Sequence, residues 1–161
     1  MFRYIVIEGP IGVGKTSLTR LLAKEFNARL ILEKPEENPF LSHFYQDRKK
    51  YAFQTQIFFL LSRFQQQKEI AQLDLFNQIT LCDYLFAKDR IFASLNLDNH
   101  ELALYEQIYS LLNGQIPSPD LVVFLQAKPE VLLHRIKSRN ISYEKEIDLE
   151  YLKTLTEAYN Y

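Results

Sequence analysis

The stretch Gly9-Pro10-Ile11-Gly12-Val13-Gly14-Lys15-Thr16 constrains this chain more than any other. It satisfies the pattern G-x-x-x-x-G-K-[ST] in full and holds three of the chain's four glycines. Glycine is entropically costly where it is not needed, so this clustering marks backbone that takes unusual dihedrals or closely approaches a ligand. In such a loop, consecutive backbone N–H groups turn inward around phosphate oxygens at the positive end of the following helix. Lys15 then reaches the β- and γ-phosphates, and Thr16 places its hydroxyl on Mg2+. The run from Gly9 to Thr16 is the expected cradle for the phosphates of MgATP or a close relative.

The surrounding pattern supplies the context that the loop demands. Tyr4-Ile5-Val6-Ile7 reads as a short buried parallel strand. After the loop, Leu18, Leu21, Leu22 and Phe26 fall at helical spacing from about Lys15. Further strands are expected at 30–32, at 79–82 and, as a buried strand, at 121–125. A long helix over 50–72 carries the apolar stripe Phe53, Ile57, Leu60, Leu61 and Phe64. Helices follow at 86–95 and 99–112, the second closed by Gly114. Pro129 suits the first turn of another helix running to about Arg139, and a last helix starts near Asp148. Strands alternating with helices imply an α/β fold, a parallel sheet covered on both faces. With 161 residues and no repeat or linker, residues 1–161 are expected to form one domain.

Composition narrows the setting. Hydrophobic residues make up 47% and charged ones 24%, an ordinary globular balance, and the net charge of −1 gives no general pull toward nucleic acid or an anionic membrane. No apolar run approaches the ~20 residues that span a bilayer, and the N-terminus runs straight into the first strand with no room for a signal peptide. The single cysteine, Cys82, excludes an internal disulfide and fits a reducing cytosol. A cytoplasmic protein with neither nucleic acid nor membrane as partner is the expectation.

The loop alone does not name a reaction. No strand is expected to end in the aspartate of a typical Walker B motif, because Asp120 begins its strand and Phe124-Leu125-Gln126 ends it. The Asn-Lys-x-Asp guanine reader of switch GTPases is absent. Instead, Glu33 follows the second strand and Asp83 the third, and ligands in open parallel sheets bind outside the carboxyl ends of strands. One carboxylate can accept a proton from an attacking hydroxyl while the other holds Mg2+ through water, with Glu36 and Glu37 as competitors for the base. Arg135 and Arg139, four apart on one helical face, precede a polar segment and suit a lid over about 138–146 that closes on the transferring phosphate.

These residues resemble the deoxyribonucleoside kinase family, especially its bacterial deoxyadenosine, deoxyguanosine and deoxycytidine kinases. The resemblance lies in Ile7-Glu8-Gly9 through Thr16, in Glu33-Lys34-Pro35-Glu36-Glu37-Asn38-Pro39, in Phe44-Tyr45 through Gln56 to Arg63, in Asp83 through Asp89-Arg90, and in Ile147 through Leu152. It runs over essentially the whole chain in the family's order. It implies the P-loop kinase fold with an arginine-bearing lid, and transfer of phosphate from MgATP to the 5′-hydroxyl of a deoxynucleoside in nucleoside salvage. By position, Glu33 resembles the general base, Asp83 the metal-associated acid, and Tyr45 with Glu144 the pair on the 3′-hydroxyl. Gln56, Arg63 and Asp89 resemble the readers of the base edge, which favours adenine, guanine or cytosine, with a lean to purines. Arg135 and Arg139 correspond to lid arginines on phosphate and adenine. The resemblance leaves a homodimer open as the assembly.

Two departures stand out. The family follows its acid with Arg-Ser where this chain has Tyr84-Leu85, and its members continue past the equivalent of Tyr161 with a fifth strand, so four strands are expected here. Two other functions compete. A nucleoside monophosphate kinase needs extra cations for its substrate's phosphate, and few basic residues stand near Glu33 in sequence. A catalytically weak nucleotide-binding or regulatory protein is the alternative suggested by Tyr84.

Overall fold

The computed structural model describes residues 2–72 and 79–159. Its centre is a parallel sheet of four strands, β1 (Tyr4–Glu8), β2 (Arg29–Ile31), β3 (Thr80–Cys82) and β4 (Leu121–Phe124), in the order β2-β3-β1-β4. Short apolar segments form the inner strands because every backbone group finds a ladder partner there and the side chains are covered on both faces. Val6, Ile7, Leu81 and Cys82 are fully buried. Among the described residues seven α-helices surround the sheet, α1 (Lys15–Glu25), α2 (Leu41–Gln46), α3 (Arg48–Gln72), α4 (Asp89–Asn96), α5 (Asn99–Asn113), α6 (Pro129–Arg139) and α7 (Leu149–Tyr159). The α/β class and the parallel sheet expected from the alternation are both present.

Three details correct the sequence reading. The fourth strand is not buried: β4 alternates half-buried with exposed residues, and Val122 and Phe124 each expose 41%. Its apolar run fits a central strand equally well, but β4 pairs only with β1 among the described residues. Gly114 does stand at the end of α5, yet with φ −69° it is right-handed, and left-handed residues end α1 at Asn27 and α6 at Asn140 (φ 49° each). The third detail concerns α3. Its apolar stripe packs only in part, with Leu60 buried and Leu61 48% exposed.

The face that α3 actually buries carries Thr55, Gln56, Arg63 and Gln67 beside Ala52, Leu60 and Ile70. Polar side chains on a buried helix face are costly unless partnered, so this face marks where the sheet and helices leave room for something other than core. Leu132 and Ile136 of α6 pack with Val13 and with Ile147, Tyr151 and Leu152, fastening α6 and α7 to the glycine loop. No helix among the described residues is long and apolar enough to cross a membrane.

Candidate active site

The glycine loop leaves β1 and opens α1, as its motif requires. Gly9, Gly12 and Gly14 all have positive φ (150°, 82° and 106°). At Gly9 there is also no space, since a Cβ would stand 2.4 Å from the carbonyl oxygen of Leu125. Gly9→Ala is therefore expected to lower stability by more than ~1 kcal/mol and to abolish stabilisation by ATP, read as a drop in urea midpoint and a missing ATP-induced rise in Tm. Glu8, just ahead of the loop, is buried at 3% and was not singled out by its sequence context. Its carboxylate accepts from Gly9 N (2.7 Å) and Leu85 N (2.6 Å), so one side chain ties the loop to the segment after β3.

Lys15 folds over the loop and donates to the carbonyls of Gly9 (2.7 Å) and Pro10 (3.2 Å). Burial, and after it the positive charge of Lys88, brings its pKa down to about 8. The Thr16 hydroxyl donates to Asp83 Oδ2 at 2.5 Å, while Asp83 Oδ1 accepts from Glu33 N at 2.7 Å. Burial raises the Asp83 pKa. Asp83 directly follows β3, the strand beside β1, and so meets Thr16 where a Walker B acid would hold Mg2+. A strand of three residues ending in Cys82 is too short to carry that motif in sequence.

A cavity of about 410 Å³ opens over the carboxyl end of the sheet. Gly12, Gly14, Lys15 and Thr16 line it from the phosphate side, and Glu33, Tyr45, Gln56, Arg63, Arg139 and Glu144 line the remainder. Most of the candidates spread over 130 residues of sequence are thus brought to one space. Ile11 joins them, whereas Val13 is buried in the packing under α6.

Glu33 sits between two cations. Arg63 donates to its Oε1, and the Lys88 ammonium donates to its Oε2 at 2.9 Å. Burial pushes the Glu33 carboxyl upward, but the charges of Lys88, Arg63 and Lys15 more than offset this and hold it well below the usual carboxylate range. The scarcity of basic residues near Glu33 is therefore a property of the sequence and not of the fold. Lys88 and Arg63 arrive from 55 and 30 residues away, and Arg20 and Arg139 also line the cavity. Lys88 escaped notice because a lysine on a short turn normally reads as solvated surface.

The remaining candidates divide. Tyr45 and Glu144 face the cavity together, and burial raises both their pKa values, with Glu144's charge adding to the shift of Tyr45. Gln56 Oε1 and Arg63 Nε are buried without a hydrogen-bond partner among the described residues, which suits groups awaiting a ligand. Asp89 is wholly buried and is not among the residues lining the cavity. It stands behind Arg63, pairing with that guanidinium and accepting from the Tyr105 hydroxyl at 2.9 Å. The two arginines expected on a lid part company: Arg135 donates to the carbonyl of Val13 at 2.9 Å, and Arg139 grips Glu144 through two bonds of 2.7 and 2.6 Å.

A glycine loop and a carboxylate lining one cavity, with Asp83 bonded to Thr16 behind it, define a phosphotransferase that acts on a hydroxyl. The family model for deoxynucleoside kinases matches residues 5–161. The chain is 39% identical over 157 residues to a deoxyguanosine kinase of Bacillus subtilis (strain 168), covering 97% of this chain and 76% of that protein. It is 40% identical over 160 residues to a deoxyadenosine kinase of Dictyostelium discoideum, covering 98% of this chain and 65% of that one. A deoxyadenosine kinase from M. mycoides solved with dCMP and dCDP superposes with a TM-score of 0.87 at 30% identity, covering 97% of this chain and 81% of that chain. The same kinase with dATP bound superposes with a TM-score of 0.86. The chain belongs to the deoxynucleoside kinase family. It has that family's P-loop kinase fold and is an enzyme of its class, a nucleotide-binding transferase of nucleoside salvage.

Proposed function

We propose that this protein transfers the γ-phosphoryl group of ATP to the 5′-hydroxyl of a deoxynucleoside carrying adenine, guanine or cytosine. The observation that carries the reading is the shared cavity, in which Lys15 and Thr16 face Glu33. Glu33 takes the hydroxyl proton, and the loop and Lys15 hold the phosphates. Arg139, in the segment 138–146 that closes as a lid on the single domain 1–161, and Arg135, one turn earlier on α6, serve the phosphates. Thr16 and Asp83 would hold Mg2+ through their oxygen donors, and the ion would supply positive charge against the phosphates. Tyr45 and Glu144 take the sugar's 3′-hydroxyl once Glu144 exchanges Arg139 for it. The cytoplasm completes the reading, in keeping with the single cysteine, and a homodimer stays open as the assembly. ATP-dependent formation of 5′-monophosphate from each of the four deoxynucleosides tests it, and no turnover with any of them would overturn it.

The base preference follows from the donors and acceptors. Gln56 can donate and accept, Arg63 only donates, and Asp89 fixes the guanidinium from behind. Adenine, guanine and cytosine each carry an exocyclic amino donor beside an acceptor, whereas thymine carries none and presents O4 and a methyl group instead. Thymidine is expected to trail the best substrate in kcat/KM by on the order of 10²-fold or more. Asp89→Asn should narrow the gap by impairing the good substrates. Thymidine as the best of the four would overturn the assignment of Gln56, Arg63 and Asp89.

A further inference from the structure

Lys88 is buried at 4%, a rare state for lysine, and closes the short 3-10 turn Phe86–Lys88. Its ammonium has three N–H donors, and among the described residues its one hydrogen-bond partner is Glu33 Oε2, with the Phe92 ring 6.0 Å away. Neutralising Glu33 does not account for it, because Arg63 already holds the other carboxylate oxygen. Lys88 also lines the cavity beside the glycine loop, together with Lys15. The residues directly after Asp83 do not offer an alternative cation: Tyr84 is wholly buried and Leu85 N is bound to Glu8. Tyr84 is also the departure from the family pattern, which has arginine there.

We propose that Lys88 is a catalytic cation of this enzyme, contacting the transferring phosphoryl group while it holds the Glu33 carboxylate. The proposal rests on the kinase reading and deepens it. In the step, the 5′-hydroxyl proton passes to Glu33 and the 5′-oxygen bonds to the γ-phosphorus. The bond from that phosphorus to the β,γ-bridging oxygen breaks, and its electron pair leaves on ADP. Lys88 makes and breaks no covalent bond. As Glu33 gains the proton it loses its charge, and the Lys88 ammonium turns its attraction to the phosphoryl oxygens, where negative charge is spread in the transition state.

The test compares wild type with Lys88→Met, Lys88→Arg and, as an exposed control, Lys34→Met, by steady-state kinetics with ATP and the best deoxynucleoside across pH. Lys88→Met is expected to lose on the order of 10²–10³-fold in kcat, with the acid limb of kcat/KM moved to higher pH because Glu33 has lost one of its cations. Lys88→Arg is expected to regain most of kcat, and Lys34→Met to match wild type. An ATP-induced rise in Tm that persists in Lys88→Met establishes that the loop is folded; if it is lost, Lys88→Gln is read by the same criteria. A kcat within threefold of wild type without the lysine overturns the proposal. So does a moved acid limb with an unchanged kcat plateau, which would make Lys88 a positioning residue for Glu33. A wild type inactive on every deoxynucleoside sinks the kinase reading itself, whereas an active wild type matched by Lys88→Met sinks only the role of Lys88.

Discussion

Lys15→Ala is expected to reduce phosphoryl transfer by at least 10²–10³-fold, on the order of the loss seen when a preorganised charge is removed from a transition state. The fold should not suffer. The pKa of Lys15 is brought down to about 8 by burial and by Lys88, so its charged form is less favourable in the folded protein than in the unfolded chain. A lysine with a lowered folded-state pKa costs stability below that pKa, and the cost is relieved as pH rises toward the unfolded value. At pH 7 the alanine variant should therefore melt at or above the wild-type temperature. Between pH 7 and about 10 the wild type should gain stability that the variant does not gain. Denaturation midpoints at the two pH values check the sign, and a variant with near wild-type kcat would remove Lys15 from the phosphate site.

Glu33→Gln is expected to lower kcat by roughly 10²–10⁴-fold, the worth of a positioned general base, with nucleoside binding retained because the amide keeps the shape. Lys88, Arg63 and Lys15 hold the Glu33 carboxyl below the ordinary carboxylate range, so in the free enzyme it stays ionised to lower pH than a solvated glutamate. The acid limb of the wild-type kcat/KM profile should then lie below about 4.3, the ordinary value for glutamate, or be hidden by acid unfolding. Glu36 also lines the cavity. If Glu36→Gln abolishes turnover and Glu33→Gln does not, the base is Glu36.

The parts of this protein that are legible in the sequence are those decided by local chemistry. Gly9 to Thr16 can be read as a phosphate loop because the positive φ values and the helix start are properties of a short stretch of backbone. The parallel sheet can be read because alternation of apolar runs with helical spacing leaves few topologies. Glu33 and Asp83 can be placed at the site because Asp83 directly follows β3 and Glu33 comes one residue after the end of β2, and strand ends converge in such a sheet.

Other features depend on which distant side chains meet, and no local pattern encodes that. Leu121 to Phe124 has the composition of a buried strand, and only the position at the sheet's edge exposes Val122 and Phe124. The apolar residues of α3 suggest the face that packs, yet the helix turns Gln56, Arg63 and Gln67 inward, where Gln56 and Arg63 line the cavity, Arg63 pairs with Glu33 and Asp89, and Gln67 accepts from the Tyr4 hydroxyl. Asp89 is pushed behind Arg63 by its bond to Tyr105, while Arg135 is drawn to the loop carbonyl of Val13. The sequence by itself determined the phosphate cradle, the sheet and the class of chemistry, since these follow from backbone geometry and periodicity. Only the tertiary structure decided the electrostatics of the base, because Lys88 and Arg63 reach Glu33 from separate elements and charges interact through space, whatever their separation along the chain.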